Sequence, residues 1–343
     1  MDEMFKRFKK EFGADAIFRG DDKGNPASID DFIPTETFIL EYVIGRPGLP
    51  LGRLTEVFGH FSTGKSSICA AVMGAITRAG HIGVLMDTEH AWSSAWMEMY
   101  GIKTDNLLIA QPKTVQQLFE QTAFLCNDAK TLIKKPQALI IVVDSVSAVP
   151  TAEEVEGDKE GMAMHAKLTS KGFRVLTNLL WENRVSIICV SQLKDNPMQP
   201  FSNSKLGGSA LDFHAAVQIK MVRMQKTDTH LRLKMTAVKN KVARPFREVV
   251  FDLKFATGID PTLPILQAGT EYKLIDEASG GWYTIGGKSY RAEEAAELIK
   301  KGVYERLLSQ QPLQQPNELS DSTVKESGTE NPQQVGTVVA SNK

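Results

Sequence analysis

A glycine-rich stretch near the amino end carries the clearest chemical signal in the chain. Residues 59–66 read GHFSTGKS, which fits the pattern G-x-x-x-x-G-K-[ST] between an apolar run and a helical run. Backbone N–H groups in such a loop close around phosphate oxygens, and the positive end of the following helix points at the same place. The lysine neutralises the β and γ phosphates, and the next hydroxyl reaches Mg²⁺. We predict nucleotide contacts from Gly59, His60, Phe61, Ser62, Thr63, Gly64, Lys65, Ser66 and Ser67.

Two acidic residues at strand ends can complete this chemistry. Asp144 ends the apolar run ALIIVVD, where its carboxylate can join Ser66 on the metal. Ser145 follows it, although many proteins with such a loop place a water-polarising acid there, so the base must come from elsewhere. Glu89, two residues past the run HIGVLMD, is the candidate for a general base. The alternative for Asp144 is that it only caps a turn at the end of its strand. The alternative for Glu89 is that it is a solvated carboxylate in a loop.

Strands and helices alternate from residue 53 onward. The runs RLTEVF, HIGVLMD, ALIIVVD and VSIICVSQ predict strands, and the segments between them have helical spacing. Continuously apolar strands alternating with helices indicate an α/β fold whose mostly parallel sheet is covered on both faces. Ligands of such a sheet bind at the carboxyl ends of its strands. After Ala215 the apolar period changes to two, which predicts further strands with one solvated face.

The ends of the chain differ in composition from this core. Met1–Phe12 carries phenylalanines at helical spacing and predicts an amphipathic helix. Residues 266–308 combine a glycine-rich turn with a helical run and predict a small α/β unit, whereas the polar residues 309–343 predict disorder. We therefore expect an amino-terminal arm over 1–32, a core over 33–265, a small domain over 266–308 and a disordered tail.

Composition excludes several classes of protein. The formal net charge is −1, so any surface that binds nucleic acid must be local. The 3 cysteines stand singly in apolar runs, which is atypical of zinc sites and disulfide frameworks. We find neither a secretion signal nor an apolar run long enough to span a membrane. The expectation is a cytoplasmic protein that does not enter a membrane.

Several separated blocks resemble the RecA family of DNA strand-exchange recombinases. The resemblance runs from about Phe5 to about Leu308. A single phosphate loop would be weak evidence of a family, but six blocks in the same order are strong evidence. They are GLPLGRLTEVFGHFSTGKSS, MDTEHAWSSAWMEMYGIKTDNLLIAQP, IIVVDSVSAVPTAEEVEG, VSQL, LGGSALDF and VKNKVARPF.

The resemblance implies a role for each matching position. Lys65 and Ser66 would bind phosphate and Mg²⁺, Asp144 would serve the water shell of the metal, and Glu89 would be the general base. Gln192, which ends VSIICVSQ, would sense the γ-phosphate, although a purely structural role is the alternative for it. The paired Lys239 and Lys241 would reach the γ-phosphate held by a neighbouring subunit. ATP and Mg²⁺ are therefore the expected ligands.

The family also implies two loops that line a DNA channel, at roughly 153–164 and 194–208. The first is acidic and, judged by charge alone, resembles a solvated loop. In the second, lysines can meet phosphates, a phenylalanine can lie against a base, and glycines permit close approach of the backbone. These predicted DNA contacts are Lys194, Phe201, Lys205, Gly207 and Gly208. Residues 220–247 add 9 Lys or Arg against a single acid, although solvated strand faces would look the same.

Assembly and a few departures complete the resemblance. KRFKKEFGADAIFRG resembles the family's amino-terminal arm, which packs on the adjacent subunit and produces an open helical filament. The alternative is a helix folded back on its own core.

Three positions depart from the family pattern. Trp96 stands where the family stacks a tyrosine on adenine, and tryptophan can do the same. Ser93 replaces an acidic residue near the base, and Phe61 replaces a glutamate of the loop.

The resemblance thus implies an ATP-dependent recombinase. Such a protein polymerises on single-stranded DNA, pairs it with a homologous duplex, and couples ATP hydrolysis to release. A ring-forming helicase or clock-type ATPase on a related core would share the loop, Asp144 and a base near Glu89. It would lack LGGSALDF, VKNKVARPF and the amino-terminal arm. A third possibility is an accessory protein that binds ATP and DNA without turnover.

Overall fold

Alternating helices and strands account for most of the chain. The structure, a computed structural model, describes residues 1–14, 16–20, 22, 29, 31–157, 161–195, 203–205, 210–278 and 280–309. Short 3-10 turns lie at Thr104–Asn106 and Val146–Ala148. The helices and strands are, in chain order, α1 (Asp2–Phe12), β1 (Phe32–Ile33), α2 (Phe38–Ile44), β2 (Leu49–Pro50), β3 (Leu54–Gly59), α3 (Lys65–Arg78), β4 (Ile82–Asp87), α4 (Ser94–Met99), β5 (Leu107–Ala110), α5 (Val115–Leu132), β6 (Leu139–Asp144), α6 (Ala152–Val155), α7 (Gly161–Asn183), β7 (Val185–Asp195), β8 (Asn203–Lys205), α8 (Ala210–His214), β9 (Val217–Lys226), β10 (His230–Asn240), β11 (Glu248–Lys254), β12 (Gly258–Asp260), α9 (Thr262–Glu271), β13 (Asp276–Ala278), β14 (Trp282–Ile285), β15 (Lys288–Arg291) and α10 (Ala292–Ser309).

Within these residues one large sheet forms the centre of the fold. Its strands follow the order β12-β11-β10-β9-β3-β7-β6-β4-β5, and β8 pairs with the end of β7. Every pair from β9 to β5 is parallel, whereas β9 to β12 continue the sheet in antiparallel order. The predicted α/β class with a mostly parallel sheet is confirmed.

The sheet is buried on both faces because its central strands are apolar on both sides. In β6, Ile140 and Val142 pack into the core that contains α2, α3 and α9. The alternate residues Leu139, Ile141 and Val143 pack into the second core, against α5 and α7. Successive side chains of a strand point to opposite faces, so an unbroken apolar run supplies both cores.

Three elements of the core were not predicted from the sequence. Helix α2 is buried along its whole length, so it has no polar face and no amphipathic period. Strand β5 is only 4 residues long, which is too short for a clear pattern. Helix α9 runs across residue 266, where we placed the start of the small unit, and no helix was predicted there. Burial and shortness hide such elements from periodicity.

The carboxyl-terminal elements form a small antiparallel sheet and a helix. Strands β13, β14 and β15 pair in that order, and α10 follows them. The position between 265 and 266, where we placed a domain boundary, falls inside α9. Helix α10 also shares the core of α2, since the rings of Phe38 and Tyr304 lie 5.0 Å apart. The domain limits stay a prediction, and residues 310–343 lie outside the described part of the chain.

The amino-terminal helix is largely exposed. Helix α1 has no buried residue, although the rings of Phe8 and Phe12 lie 4.7 Å apart on its apolar face. The predicted amphipathic helix is therefore present. Among the described residues, no helix has the length and apolar character needed to cross a membrane.

Candidate functional site

The register of the parallel strands brings the predicted site residues to one edge of the sheet. Gly59, the last residue of β3, lies opposite Gln192 of β7. Asp87, the last residue of β4, lies opposite Asp144 of β6. Because β3, β7, β6 and β4 are neighbours in the sheet, their carboxyl ends share one edge, where ligands of this fold class bind. Glu89 follows β4 by two residues and joins them.

The turn between β3 and α3 has the backbone that a phosphate loop needs. Gly64 has φ of +75°, in the left-handed region that favours glycine. A Cβ at Gly59 would lie 2.4 Å from the carbonyl oxygen of Met221, so the neighbouring strand excludes any side chain there. The Lys65 Nζ donates to the carbonyl oxygens of His60 at 2.7 Å and Gly59 at 3.1 Å. Local sequence thus fixes both the turn and its lysine.

A cavity of about 350 Å³ opens in front of this loop. Its volume is at the small end of the range for small-molecule sites. Ten residues predicted to contact or act on the nucleotide lie in its wall together. The lining is formed by Phe61, Ser62, Thr63, Gly64, Lys65, Ser66, Ser67, Glu89, Asp144, Val190, Gln192, Leu231 and Leu253.

Glu89 accepts two hydrogen bonds at the head of the cavity. The Ser145 hydroxyl donates to its Oε1 at 2.6 Å, and the Gln192 amide donates to the same oxygen at 2.9 Å. Two donors, one directly after β6 and one on β7, fix the orientation of the carboxylate. A carboxylate held in this way can accept a proton from a water molecule in the cavity.

Asp144 and Lys65 lie deeper and are coupled electrostatically. The Asp144 carboxylate, in a residue 2% exposed, accepts hydrogen bonds from the Trp92 indole at 3.0 Å and from the Ser66 hydroxyl. Burial raises the pKa of Asp144, and these two hydrogen bonds oppose the rise. Burial lowers the pKa of Lys65, and the nearby carboxylates Asp144 and Glu89 oppose that shift. The site therefore holds opposite charges side by side.

Comparison with known proteins establishes the family. Residues 1–260 match the family model described as the RecA N-terminal domain. The chain belongs to the RecA family. It is 33% identical over 297 residues to Protein RecA of Citrifermentans bemidjiense, covering 83% of this chain and 85% of that protein. It is 29% identical over 317 residues to Protein RecA of Francisella philomiragia, covering 89% and 86%.

RecA membership confirms the resemblance found in the sequence. It also supports recombinase function at the level of the family. Nothing in the match favours the ring-forming helicase or the clock-type ATPase, since the RecA model includes the amino-terminal arm and extends through the strands after the loop region.

The predicted DNA contacts follow the RecA site along β7. This strand continues three residues past Gln192, and Lys194 lies exposed on it. Lys205 belongs to β8, where it pairs in register with Leu193. The other three predicted contacts, Phe201, Gly207 and Gly208, lie outside the residues that the structure describes.

The paired lysines of the RecA pattern are not in the wall of the cavity. The Lys239 ammonium donates to the backbone carbonyls of Asp212 and Phe213, at the end of α8. Lys241 is exposed on the loop after β10. Lysines that act on the nucleotide of a neighbouring copy must lie outside the cavity of their own copy, and both lysines do. Their role in trans stays a prediction.

Trp96, predicted to stack on adenine, lies beside the cavity rather than in its wall. Its ring packs edge to face between Trp92 at 4.8 Å and Tyr100 at 5.2 Å. It is partly exposed. It is not among the residues that line the cavity, and the adenine contact stays a prediction.

Sequence reasoning assigned no role to two residues that touch the site. Ser145 follows Asp144 directly, so its place at a strand end was visible, but only the fold shows that it reaches Glu89. Trp92 precedes Trp96 by four residues, which is helical spacing. The sequence gives no sign that the Trp92 indole donates to Asp144, because a single donor forms no pattern and the two residues are 52 positions apart.

Proposed function

We propose that this chain is an ATP-dependent recombinase that polymerises on single-stranded DNA and promotes pairing and strand exchange with a homologous duplex, in recombination and repair. The hydrogen bond between Glu89 and Gln192 carries the proposal. It joins a candidate base in the nucleotide cavity to the strand that leads into the candidate DNA loop. Hydrolysis on one side can therefore alter the hold on DNA on the other.

The loop and its neighbours suit a nucleoside triphosphate. Lys65 and the backbone N–H groups of the loop provide positive charge and donors for phosphates. Ser66 and Asp144 would hold Mg²⁺, because a hydroxyl and a carboxylate supply the oxygen ligands that this ion prefers. When bound, the ion would neutralise charge on the β and γ phosphates.

In the proposed hydrolysis, Glu89 accepts a proton from the attacking water. Ser145 and Gln192 keep the carboxylate oriented for that transfer. Lys239 and Lys241 of an adjacent copy approach the γ-phosphate from outside. A cation supplied in this way by another subunit accelerates turnover by about 10³ to 10⁵ in other nucleotide hydrolases. Turnover would then depend on assembly.

Two exposed apolar surfaces support self-association into a filament. Phe12 on α1 is 66% exposed. At the edge of the large sheet, Leu108 and Ile109 of β5 are 57% and 47% exposed, and no described strand covers the outer edge of β5. A helix of one copy that covers another surface on the next copy gives a head-to-tail contact, which leads to an open helix of subunits.

The decisive experiment is the rate of ATP hydrolysis with and without single-stranded DNA. We expect slow phosphate release by the protein alone and an increase on the order of tenfold or more with DNA, since DNA assembles the junctions that bring in the trans lysines. Lys65→Ala should abolish both rates. Lys288→Ala, an exposed lysine of the small sheet, is the matched control and should match the wild type.

Two results would contradict the proposal. If ATP and DNA both bind but no phosphate is released, the chain is an accessory protein without turnover. If hydrolysis is rapid and indifferent to DNA, the link through Gln192 does not serve DNA binding.

A further inference from the structure

Three aromatic side chains lie in a row beside the nucleotide cavity. Trp92, Trp96 and Tyr100 are spaced by four residues along α4 and its flanks, and we call them the aromatic ladder. Their rings meet edge to face, with centroids 4.8 Å and 5.2 Å apart. Such contacts add stability beyond burial alone. The ladder therefore fixes the position of Trp92, which is only 7% exposed.

Both ends of the ladder are bonded to the nucleotide site. At one end the Trp92 indole donates to Asp144 Oδ2 at 3.0 Å, and Asp144 also accepts from Ser66. At the other end the Tyr100 hydroxyl is hydrogen-bonded to the side chain of Ser67. Ser66 and Ser67 are consecutive residues in the first turn of α3. The ladder thus supports the part of the helix that follows the phosphate loop.

We propose that Trp92 is a positioning residue for the metal carboxylate, acting through Asp144. An indole N–H can only donate, so its bond to a buried carboxylate has a fixed direction. The packed ladder keeps the donor in place, and the donor keeps the carboxylate turned towards Ser66. The other charged groups near Asp144 are Lys65, Glu89 and Asp87. The Lys65 ammonium donates to the carbonyl oxygens of Gly59 and His60, and an ionised carboxylate only accepts. This inference rests on the proposed function, in which Asp144 serves Mg²⁺.

The test measures binding rather than turnover. Calorimetry gives the affinity for ATP in the presence of Mg²⁺ and in its absence, and the ratio of the two is the metal gain. Trp92→Phe keeps an aromatic ring at this position but removes the indole N–H donor. We expect the metal gain to fall about tenfold, as for loss of a hydrogen bond to a charged group, with metal-free affinity unchanged. Trp282→Phe, in the small sheet, is the matched control and should keep the full gain.

A double-mutant cycle tests whether the effect passes through Asp144. If it does, Trp92→Phe should cost nothing further in an Asp144→Asn background. Trp92→Met, a donor-free side chain of different shape, should lose as much of the gain as Trp92→Phe. An unchanged gain in both variants would overturn the inference. The inference would also be overturned if Trp92→Phe still lowered the metal gain by the full amount in the Asp144→Asn background. The same holds if Trp92→Phe and Trp92→Met lowered the gain by different amounts, because the effect would then depend on side-chain shape.

This outcome is separable from that of the proposed function. A metal gain that falls in Trp92→Phe supports the role of Trp92 even if DNA fails to stimulate turnover. In that case only the recombinase proposal fails.

Discussion

Glu89 is held at the scale of single residues by two donors of different origin. Ser145 belongs to the chain just after β6 and Gln192 to β7, and both bond to the same oxygen. A carboxylate whose orientation is fixed in advance loses little freedom when a water molecule arrives, which suits the proposed role of Glu89 as the base. Its replacement by a side chain of the same shape is therefore informative.

Glu89→Gln should keep the binding of ATP and DNA while slowing hydrolysis by about 10² to 10⁴, the usual contribution of a general base. The amide keeps an oxygen that can accept from Ser145 and Gln192, so the cavity should keep its shape. Steady-state phosphate release measures the effect. Glu98→Gln, an exposed acid on α4, is the control. Equal rates for Glu89→Gln and the wild type would remove Glu89 as the base.

Much of this site could be predicted from residue type and position. Lys65 and Ser66 were identified from the loop motif, Asp144 and Glu89 from their places at strand ends, and Gln192 from the family resemblance. The hydrogen bond between Glu89 and Gln192 could not be predicted, since it depends on which strands are neighbours. The spacing of apolar residues predicts strands but not their order in the sheet. Only the structure shows that β7 lies between β3 and β6.

Helix α1 behaves, at the scale of elements, as a separate apolar surface. It contributes no buried side chain to its own core, so its apolar face is available to another copy. The same independence makes it a good target for substitution, because changes there leave the core intact.

The double variant Phe8→Ser and Phe12→Ser should lose self-association while its free energy of unfolding stays within about 0.5 kcal/mol of the wild type, the usual range for surface changes. Sedimentation measures the first and denaturant unfolding the second. A variant with Lys6→Ser and Lys10→Ser on the polar face should change assembly far less. Intact assembly of the phenylalanine variant would assign α1 to another role.

Some helices and strands could be predicted from the sequence more readily than others. Four strands of the parallel sheet, β3, β4, β6 and β7, were predicted well, because long apolar runs bounded by glycine or polar residues are typical of buried strands. Helix α2 was missed because tertiary burial on all sides leaves no polar stripe. The extent of β7 was also underestimated, because its last residues pair with the short strand β8 and do not continue the apolar run.

At the scale of the whole molecule, the proposed junction needs residues from two copies. Lys241→Ala should reduce DNA-dependent hydrolysis by about 10³ or more. Mixed in equal amounts with Glu89→Gln protein, it should recover about a quarter of wild-type turnover, because one junction in four then joins an intact base to an intact lysine in a head-to-tail assembly. Mixing Lys241→Ala with the double variant Glu89→Gln, Lys241→Ala should recover nothing. Failure of every mixture would count against action in trans.

The three cysteines report on the integrity of the core. Cys69, Cys126 and Cys189 are all buried, and burial raises the pKa of Cys126 to about 12 and those of the other two well above the usual value. The thiolate is the reactive form, so a raised pKa suppresses reaction at pH 8. We expect no labelling by a maleimide in the native protein and 3 labelled thiols in denaturant. Rapid labelling of the native protein would show that the core opens.

No strand in the described part of the chain covers the outer edge of β5, and this edge with its two exposed aliphatic side chains has a thermal consequence. Transfer of apolar surface out of water has almost no enthalpy near room temperature, and its driving force weakens on cooling. Subunits joined through such surfaces should come apart in the cold and bind more firmly when warmed. Sulfate, which is excluded from apolar surface, should strengthen the same contacts.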